Sequence, residues 1–317
     1  MKTIRLVFGV FLFSLLCASA SLAAGTSART FVSGKGLDPN NCSLTAACRT
    51  FTAAMAQTAP GGEIVVLDSA GYGPFSIAQA VTITAPQGVY AGITVTSAGG
   101  DGIDVNSNSS SDFVTLKGLT VIGPGATTST GNGIAFNSGM ALHIENCEVR
   151  GFNTDIIANL CAKVFINDTV VKDSAFAGIE LTMASTGNSW AALDHVTANN
   201  CGTYGVLATM SGADYILNAQ IRNSTISGNT NGLVVNGMNN AVVTFDVGNC
   251  QITNGEVGLQ ALASGGGTGT MSIAYSLVSR NSSAGWIVTG GTLDSTGTNI
   301  FTGNGINTGA LTPVAAQ

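Results

Sequence analysis

The chain has 317 residues, and only 9% of them are charged. Its formal net charge is −6 at pH 7, from 11 basic and 17 acidic residues. A nucleic-acid partner needs clustered lysine and arginine to neutralise phosphates, so this balance argues against one. Glycine accounts for 42 residues, about twice the usual share, so asparagine, serine and threonine have to supply most of the surface polarity.

Residues 1–24 are typical of a secretory signal. Two basic residues precede an apolar run over Val7–Ala18, which is too short to span a bilayer. The small residues of Ser21–Ala23 fit a cleavage site. A lipoprotein signal ending at Cys17 is the alternative, although the residue before it is not small. We therefore expect a secreted or periplasmic protein, with no membrane span in the remaining chain.

The N-terminal segment over 25–62 is predicted to cap the fold. A strand is expected at Arg29–Ser33, and apolar residues recur at helical spacing within Arg49–Ala59. Pro60–Gly62 should end this helix. The composition after this segment favours strands up to residue 304, and residues 305–317 are predicted to form a C-terminal tail.

One motif returns eight times between residues 102 and 304. In each copy a small residue, usually glycine, precedes a short strand of alternating apolar residues. The copies begin at Gly102, Gly133, Asp155, Gly178, Gly205, Gly232, Gly258 and Gly285. Steps of 22 to 31 residues between these starts indicate a solenoid, in which each coil stacks on the previous one.

A second periodic feature is a polar residue late in each repeat, which occurs as Asn146, Asp168, Asp194, Asn223 and Asn249. Such side chains tolerate left-handed backbone at a turn, and stacked amides can hydrogen-bond along the column. The residues that follow them, His195 among these, are then expected to point into the core.

Three short strands per coil, with an asparagine ladder at one turn, resemble the right-handed parallel β-helix proteins of the pectate-lyase-like superfamily. The blocks Arg29–Asp38, Cys42–Phe51 and Gly61–Asp68 are also similar to the opening of a group of exported bacterial β-helix proteins to which no activity is assigned. The resemblance implies an all-β, single-stranded right-handed parallel β-helix of about ten coils over residues 63–304. It leaves function open, because that superfamily holds lyases, hydrolases, tailspikes and adhesins.

The resemblance implies that an enzyme of this fold would work on the outer face of the first sheet. The outward positions of the repeat strands are Asp104, Ala135, Ile157, Glu180, Leu207, Val234, Gln260 and Ile287. The two carboxylates, Asp104 and Glu180, lie three coils apart, which is about 14 Å. Glycoside hydrolysis needs a pair about 5–10 Å apart, so both are weak catalytic candidates.

Asp155 is a third weak candidate, because Asn153-Thr154-Asp155 matches one catalytic element of polygalacturonases. The other elements of that family, an Asp-Asp pair, Gly-His-Gly and Arg-Ile-Lys, do not occur in this sequence. Asn229-Thr230-Asn231 occupies a similar place in a later repeat, which favours a structural role for the triplet.

The cysteines and histidines favour structural roles. Cys42 and Cys48 flank a tight loop in an exported cap, which predicts a disulfide. The other cysteines after the signal are expected to be buried, and no C-x-x-C pair indicates zinc. His195 is expected in the core. His143 is expected on the surface of the second sheet, where a site with Glu145 and with Asn167 of the next coil is the alternative.

Four members of the outward column are apolar, and they predict an exposed stripe: Ile157, Leu207, Val234 and Ile287. Such stripes mark interfaces, so self-association through this face is one hypothesis. Cover by the C-terminal tail, or by loops 184–190 and 263–269, is the other.

The favoured function is a non-catalytic exported module that binds an extended ligand, a glycan or a cell surface. The polar flank of the first sheet is the predicted binding face, and it consists of Asn106, Asn137, Asn159, Thr182, Thr209 and Asn236. A polysaccharide lyase or glycoside hydrolase, and a structural envelope or matrix protein, are the alternatives. No cofactor and no metal are expected.

Overall fold

The computed structural model describes residues 25–125, 127, 129–183 and 187–315. The predicted signal over 1–24 lies outside these described residues. Within them the chain forms thirty strands and one short helix. No helix in the described part is long and apolar enough to cross a membrane.

The first elements in chain order are β1 (Ser27–Val32), α1 (Phe51–Gln57), β2 (Thr58–Val66), β3 (Ala70–Gly71), β4 (Phe75–Ile77), β5 (Val81–Thr84), β6 (Ala91–Thr94), β7 (Ile103–Asn106), β8 (Phe113–Lys117), β9 (Leu119–Ile122) and β10 (Asn132–Glu145). The middle elements are β11 (Glu148–Arg150), β12 (Thr154–Ala158), β13 (Cys161–Asn167), β14 (Val170–Lys172), β15 (Ala177–Leu181), β16 (Gly187–Asp194), β17 (Thr197–Asn199), β18 (Tyr204–Ser211), β19 (Tyr215–Arg222) and β20 (Thr225–Ser227). The last elements are β21 (Asn231–Met238), β22 (Val242–Gly248), β23 (Gln251–Thr253), β24 (Val257–Ser264), β25 (Thr268–Ala274), β26 (Leu277–Ser279), β27 (Ala284–Thr289), β28 (Thr292–Thr296), β29 (Ile300–Thr302) and β30 (Thr312–Val314).

These strands form three parallel sheets that enclose one core. Sheet 1 consists of β4, β7, the first half of β10, β12, β15, β18, β21, β24 and β27. Sheet 2 consists of β1, β2, β5, β8, the second half of β10, β13, β16, β19, β22, β25, β28 and β30. Sheet 3 holds the ten strands β3, β6, β9, β11, β14, β17, β20, β23, β26 and β29. The predicted solenoid of about ten coils is confirmed, because successive coils each add one strand to a sheet.

The coils begin earlier in the chain than the sequence predicts, because β1 already pairs in parallel with β2. The helix is also shorter than Arg49–Ala59. Thr58 opens β2, so Pro60–Gly62 lies inside a strand and does not follow the helix directly. Phe51 of α1 packs against Tyr72 and Phe75, at ring-centroid distances of 5.3 and 4.5 Å. The helix therefore closes one end of the apolar core.

The other end is closed by the C-terminal segment. Within the predicted C-terminal tail over 305–317, β30 pairs with β28. Asn307 Oδ1 accepts the backbone N–H of Gly285 at 2.8 Å. The Trp286 indole donates to the carbonyl of Gly309 at 3.3 Å. These bonds hold part of the segment against the last coil.

The core consists of stacked inward columns. The first seven repeat strands of sheet 1 each contribute a side chain that is at most 1% exposed: Ile103, Ile134, Ile156, Ile179, Val206, Leu233 and Leu259. Burial of one such side chain stabilises the fold by about 1.5–3 kcal/mol. The alternation that marks the strands in the sequence therefore corresponds to the inner and outer faces of the wall.

The polar ladder at the turn from sheet 2 to sheet 3 differs from the prediction by one residue. Its members share a positive φ of 49–53° and are Asn146, Asp168, His195, Asn223, Asn249 and Tyr275. Asp194 lies in sheet 2 opposite Asn167 and Arg222. His195 is therefore exposed, and Val196 takes the core position that was predicted for it. A shift of one residue exchanges the inner and outer faces, so the prediction of a buried histidine was wrong.

Candidate functional site

The two carboxylates predicted on the outer face of sheet 1, Asp104 and Glu180, are too far apart to act together. Asp104 pairs with Ala135, and the column continues through Ile157 to Glu180, three coils away. Burial raises the pKa of Glu180, whose carboxylate accepts the Thr154 hydroxyl at 3.4 Å. The two groups therefore do not form a catalytic pair.

Asp104 has a different partner, Asp101. Burial, the charge of Asp101 and a hydrogen bond with it raise the pKa of Asp104 to about 6. The alignment of the repeats did not indicate Asp101, because this residue lies just before the repeat strand and outside the outward column. Its signal would have been the i, i+3 spacing of the two aspartates. No group of three possible metal ligands occurs among the described residues.

Asp155 lies in the interior of the solenoid, where its residue is 0% exposed. Its Oδ1 accepts the backbone N–H of Phe152 at 3.4 Å, and its Oδ2 has no hydrogen-bond partner among the described residues. Burial raises the pKa of this carboxyl well above its usual range. A side chain in this position cannot touch a ligand on the outer wall.

The triplet around Asp155 also aligns differently from the prediction. Thr154 pairs with Ala177, Ala177 with Tyr204 and Tyr204 with Asn231. Asp155 therefore shares its column with Gly232, and the comparison with Asn229-Thr230-Asn231 was offset by one residue. The triplet runs into β12 and is not confined to a turn.

The polar side chains of the predicted binding flank of sheet 1 hydrogen-bond to one another. Asn137 donates to Asn106 at 3.1 Å, and Asn159 donates to Asn137 at 2.8 Å. The hydroxyl of Thr182 donates to Asn159 at 3.0 Å. Asn236 lies farther along the same flank, opposite Thr209. The first four residues form a ladder that ties coils together, which leaves fewer groups for a ligand.

The expected exposed apolar stripe does not exist as one continuous surface. Leu207 is 7% exposed and Val234 is 1% exposed, while Ile157 and Ile287 are half-buried. Gln260 contributes to the cover, since its amide reaches back one coil and donates to Asn231 at 2.8 Å. The prediction of an exposed stripe was wrong for its two central members, Leu207 and Val234, and self-association through this face stays a prediction.

The predicted covering loops are largely strands. Residues 187–190 belong to β16, and residues 268–269 belong to β25. Residues 184–186 lie outside the described part of the chain. The C-terminal tail, which was the other predicted cover, reaches the last member of this column, since Ile287 forms a bridge with Thr308.

The cysteines are structural in this fold. Cys42 and Cys48 form a disulfide in the cap. Four others, Cys147, Cys161, Cys201 and Cys250, are unpaired and buried. Burial raises the pKa of the Cys147 thiol to about 11, so this group stays protonated and a poor nucleophile near neutral pH.

A hollow on the outer face of sheet 2 is the best candidate for a functional site. We call it the sheet 2 hollow, and its volume is about 340 Å³. It is lined by Lys163, Phe165, Trp190, Ala191, Ala192, Asn218, Ala219, Gln220 and Asp246. Ala192 stands between Phe165 and Gln220 in one outward column. Because alanine is smaller than both neighbours, the wall is recessed at that coil.

Aromatic rings form one side of the hollow. The Trp190 residue is 49% exposed. Phe165 stacks on His143 of the adjacent coil, with centroids 4.6 Å apart and an interplanar angle of 19°. Burial lowers the pKa of His143, so its ring is mostly neutral at pH 7. Glu145 forms an ion pair with Lys117 at 2.9 Å and lies opposite Asn167, and a surface site of His143, Glu145 and Asn167 stays an alternative.

Polar groups without partners complete the hollow. Within the described ranges, the side chains of Lys163, Gln220 and Asp246 make no hydrogen bond or ion pair with the protein. Asn218 engages only its oxygen, which accepts the Thr244 hydroxyl at 2.8 Å. An apolar floor with a few unengaged polar groups is the usual composition of a ligand site. The sequence signal for this hollow was the pair of aromatic residues at outward positions of β13 and β16, Phe165 and Trp190.

Comparison with known proteins supports the fold. The model of the right-handed beta helix region matches residues 80–247. The enzymatically active domain of tailspike protein 2 from bacteriophage CBA120 aligns with a TM-score of 0.59 at 13% identity, over 80% of this chain and 42% of that one. The GH136 lacto-N-biosidase of Eubacterium ramulus aligns with a TM-score of 0.52 at 9% identity, over 90% of this chain and 67% of that one.

The low identities mean that these structures share only the fold with this chain, which spans 42% of the length of the tailspike domain. No curated protein matches the chain significantly in sequence. The family model covers more than half of the 317 residues. The predicted right-handed parallel β-helix is therefore confirmed, and the chain belongs to the family of proteins with a right-handed beta helix region.

Proposed function

We propose that this protein is an exported glycan-binding module whose binding site is the sheet 2 hollow. The observation that carries the proposal is the exposed Trp190 ring beside Phe165, with Lys163, Gln220 and Asp246 unengaged. Aromatic rings offer a flat apolar surface to the C–H face of a sugar. Amide and carboxylate side chains can hydrogen-bond its hydroxyl groups. The secretory signal predicted at 1–24 supports export.

The similar structures agree with this ligand class. One is described as an enzymatically active tailspike domain, and the other is named a lacto-N-biosidase, which is an enzyme with a glycan substrate. Since they share only the fold with this chain, they support a glycan ligand and do not supply a site.

Glycan cleavage is a second candidate function, and the contact between Asp101 and Asp104 favours it. A carboxyl group with a pKa of about 6 can act as a general acid near neutral pH. However, the two carboxyl groups are hydrogen-bonded to each other, which is closer than the separation of about 5 Å or more that glycoside hydrolysis uses. Binding is therefore the better-supported function.

The test is calorimetric titration of the purified protein with a panel of soluble oligosaccharides, repeated for Trp190→Ala. We expect this substitution to weaken binding at least tenfold. Tyr90→Ala is the matched control, because Tyr90 lies beside sheet 3 and is similarly exposed, at 45% against 49%. Equal affinities of the wild type and Trp190→Ala would exclude the hollow as the binding site. New reducing ends that disappear in Asp104→Asn would establish the enzymatic alternative.

A further inference from the structure

We infer that the sheet 2 hollow selects an uncharged glycan and holds it parallel to the solenoid axis, with about one sugar ring opposite each coil. This inference rests on the proposed function and adds the substrate class and orientation to it. The register of the strands, the width of the hollow and the distribution of its charges support it.

The length of the hollow runs along the axis. Its central column passes from Phe165 to Ala192, then to Gln220 and Asp246, each in register with the one before. Four coils at the usual strand spacing span about 14 Å. A pyranose ring in an extended β-linked chain advances by nearly the spacing of one coil. Three or four rings therefore fit the length of the hollow.

The width of the hollow excludes the perpendicular orientation. Each coil contributes at most two outward side chains to it, such as Lys163 and Phe165 on β13. Two outward positions on one strand lie about 7 Å apart, which leaves room for a single ring. A chain laid along the strands, perpendicular to the axis, would contact the hollow with one sugar only.

The charges of the hollow are confined to its two ends. Lys163 lies on the first of the four coils and Asp246 on the last. The lining side chains between them, which include Trp190, Asn218 and Gln220, are neutral. A polyuronate carries a carboxylate on each ring, so Lys163 could compensate only one of them, and the rings nearest Asp246 would be repelled. A neutral glycan meets no such repulsion.

The distribution of aromatic and amide groups specifies the rings further. Phe165 and Trp190 occupy neighbouring coils, in adjacent columns. They can stack against two successive rings whose hydroxyl groups are equatorial, because such rings have flat C–H faces. Gln220 and Asp246 can hydrogen-bond the next rings. The hollow therefore combines a stacking end with a hydrogen-bonding end.

The experiment compares two ligand series by calorimetry. The neutral series is β-1,4-linked oligomers of glucose, xylose and N-acetylglucosamine from one to six units. The charged series is oligogalacturonates of the same lengths. For at least one neutral series, we expect the affinity to rise at least tenfold from one unit to three or four and then to level off. At equal length, the oligogalacturonates should bind at least tenfold more weakly.

A charge variant tests the cause of this selectivity. Asp246→Asn removes the repulsion and should raise the affinity for oligogalacturonates at least threefold. Asp168→Asn is the matched control. Asp168 is an exposed aspartate on the polar ladder at the turn from sheet 2 to sheet 3, where other coils have asparagine. It should leave both ligand series unaffected.

The outcomes separate this inference from the proposed function. Tighter binding of oligogalacturonates than of every neutral series, or an affinity that does not change with length, would overturn the inference. In that case the hollow could still be the binding site. Absence of binding in all series, or binding that Trp190→Ala does not weaken, would overturn the proposed function as well.

Discussion

At the scale of single residues, Asp155 is an acidic side chain that is buried in the interior of the solenoid. It occupies a column in which other coils have glycine, and its side chain is enclosed by the core. Oδ2 has no hydrogen-bond partner in the described part of the chain. An ionised carboxylate would be strongly disfavoured there. The raised pKa of Asp155 means that the folded state retains this proton at pH values where the unfolded chain has lost it.

This retention predicts a pH dependence of stability. The unfolded carboxyl loses its proton above about pH 4, so the folded state then binds more protons, and the free energy of unfolding falls as pH rises. Asp155→Asn keeps a neutral side chain of the same shape and removes this loss. We expect the free energy of unfolding of Asp155→Asn to exceed that of the wild type by about 1–3 kcal/mol at pH 7.5 and by much less at pH 4.5.

Urea unfolding of both proteins at the two pH values measures the difference. Asp246→Asn, on the exposed face, is the control and should follow the wild type. An identical pH response of the wild type and Asp155→Asn would show that Asp155 ionises in the folded protein as it does in the unfolded chain.

At the scale of the strand, glycine opens seven of the eight repeats because neighbouring coils approach closely there. A Cβ atom at Gly205 would lie 2.6 Å from Cγ2 of Ile226 and 2.7 Å from the carbonyl oxygen of Gly232. Both distances are well below van der Waals contact. The repeat motif is therefore a steric requirement of stacking, which explains why it is visible in the sequence.

This contact predicts that Gly205→Ala destabilises the protein by about 1–3 kcal/mol, since the carbonyl it meets belongs to a rigid backbone. Gly297→Ala is the control, because a Cβ atom there meets nothing within 4 Å. Urea midpoints of the two variants measure the effect. Equal midpoints would show that the coils can separate to accept a methyl group.

The asparagine ladder of sheet 1 ties coils together in a second way. Asn159 bonds both Asn137 and Thr182. Its replacement by alanine removes two hydrogen bonds, each of which contributes about 0.5–1.5 kcal/mol. We expect a loss of about 1–2 kcal/mol for Asn159→Ala and a smaller one for Asn236→Ala, measured by thermal unfolding. A larger loss for Asn236→Ala would show that the ladder does not stabilise the stack.

At the scale of the whole molecule, each coil contacts mainly its neighbours, so stability is distributed along the axis. The α1 cap and its disulfide cover one end with packed aromatic rings. The other end is held by the strand β30 and a few hydrogen bonds. The terminal coil has only one neighbouring coil, which favours its earlier unfolding.

The two tryptophans of the chain report on different coils. Trp190 lies in β16 near the middle, and Trp286 lies in β27 of the last coils. We expect fluorescence of the Trp190→Phe variant, which reports Trp286, to change at lower urea concentration than that of Trp286→Phe. Far-ultraviolet circular dichroism of each variant is the control for altered global stability. Coincident fluorescence transitions would indicate a single cooperative unit.

The amino-acid sequence by itself determined the solenoid, its strands and the loop between Cys42 and Cys48. These features recur at a fixed period or lie within a few residues, so they are visible along the chain. The position of His195, the cover over Val234 and the environment of Asp155 required the exact register, because a shift of one residue exchanges inside and outside.

Only the tertiary structure decided the location of the candidate site. Phe165, Ala192, Gln220 and Asp246 are separated by 26 to 28 residues along the chain, and stacking alone places them in one column. The hollow depends on a small side chain between larger ones on successive coils. These side chains are neighbours in space but lie on different coils. The sequence therefore predicted the strands, and the stacking of the coils determined where a ligand can bind.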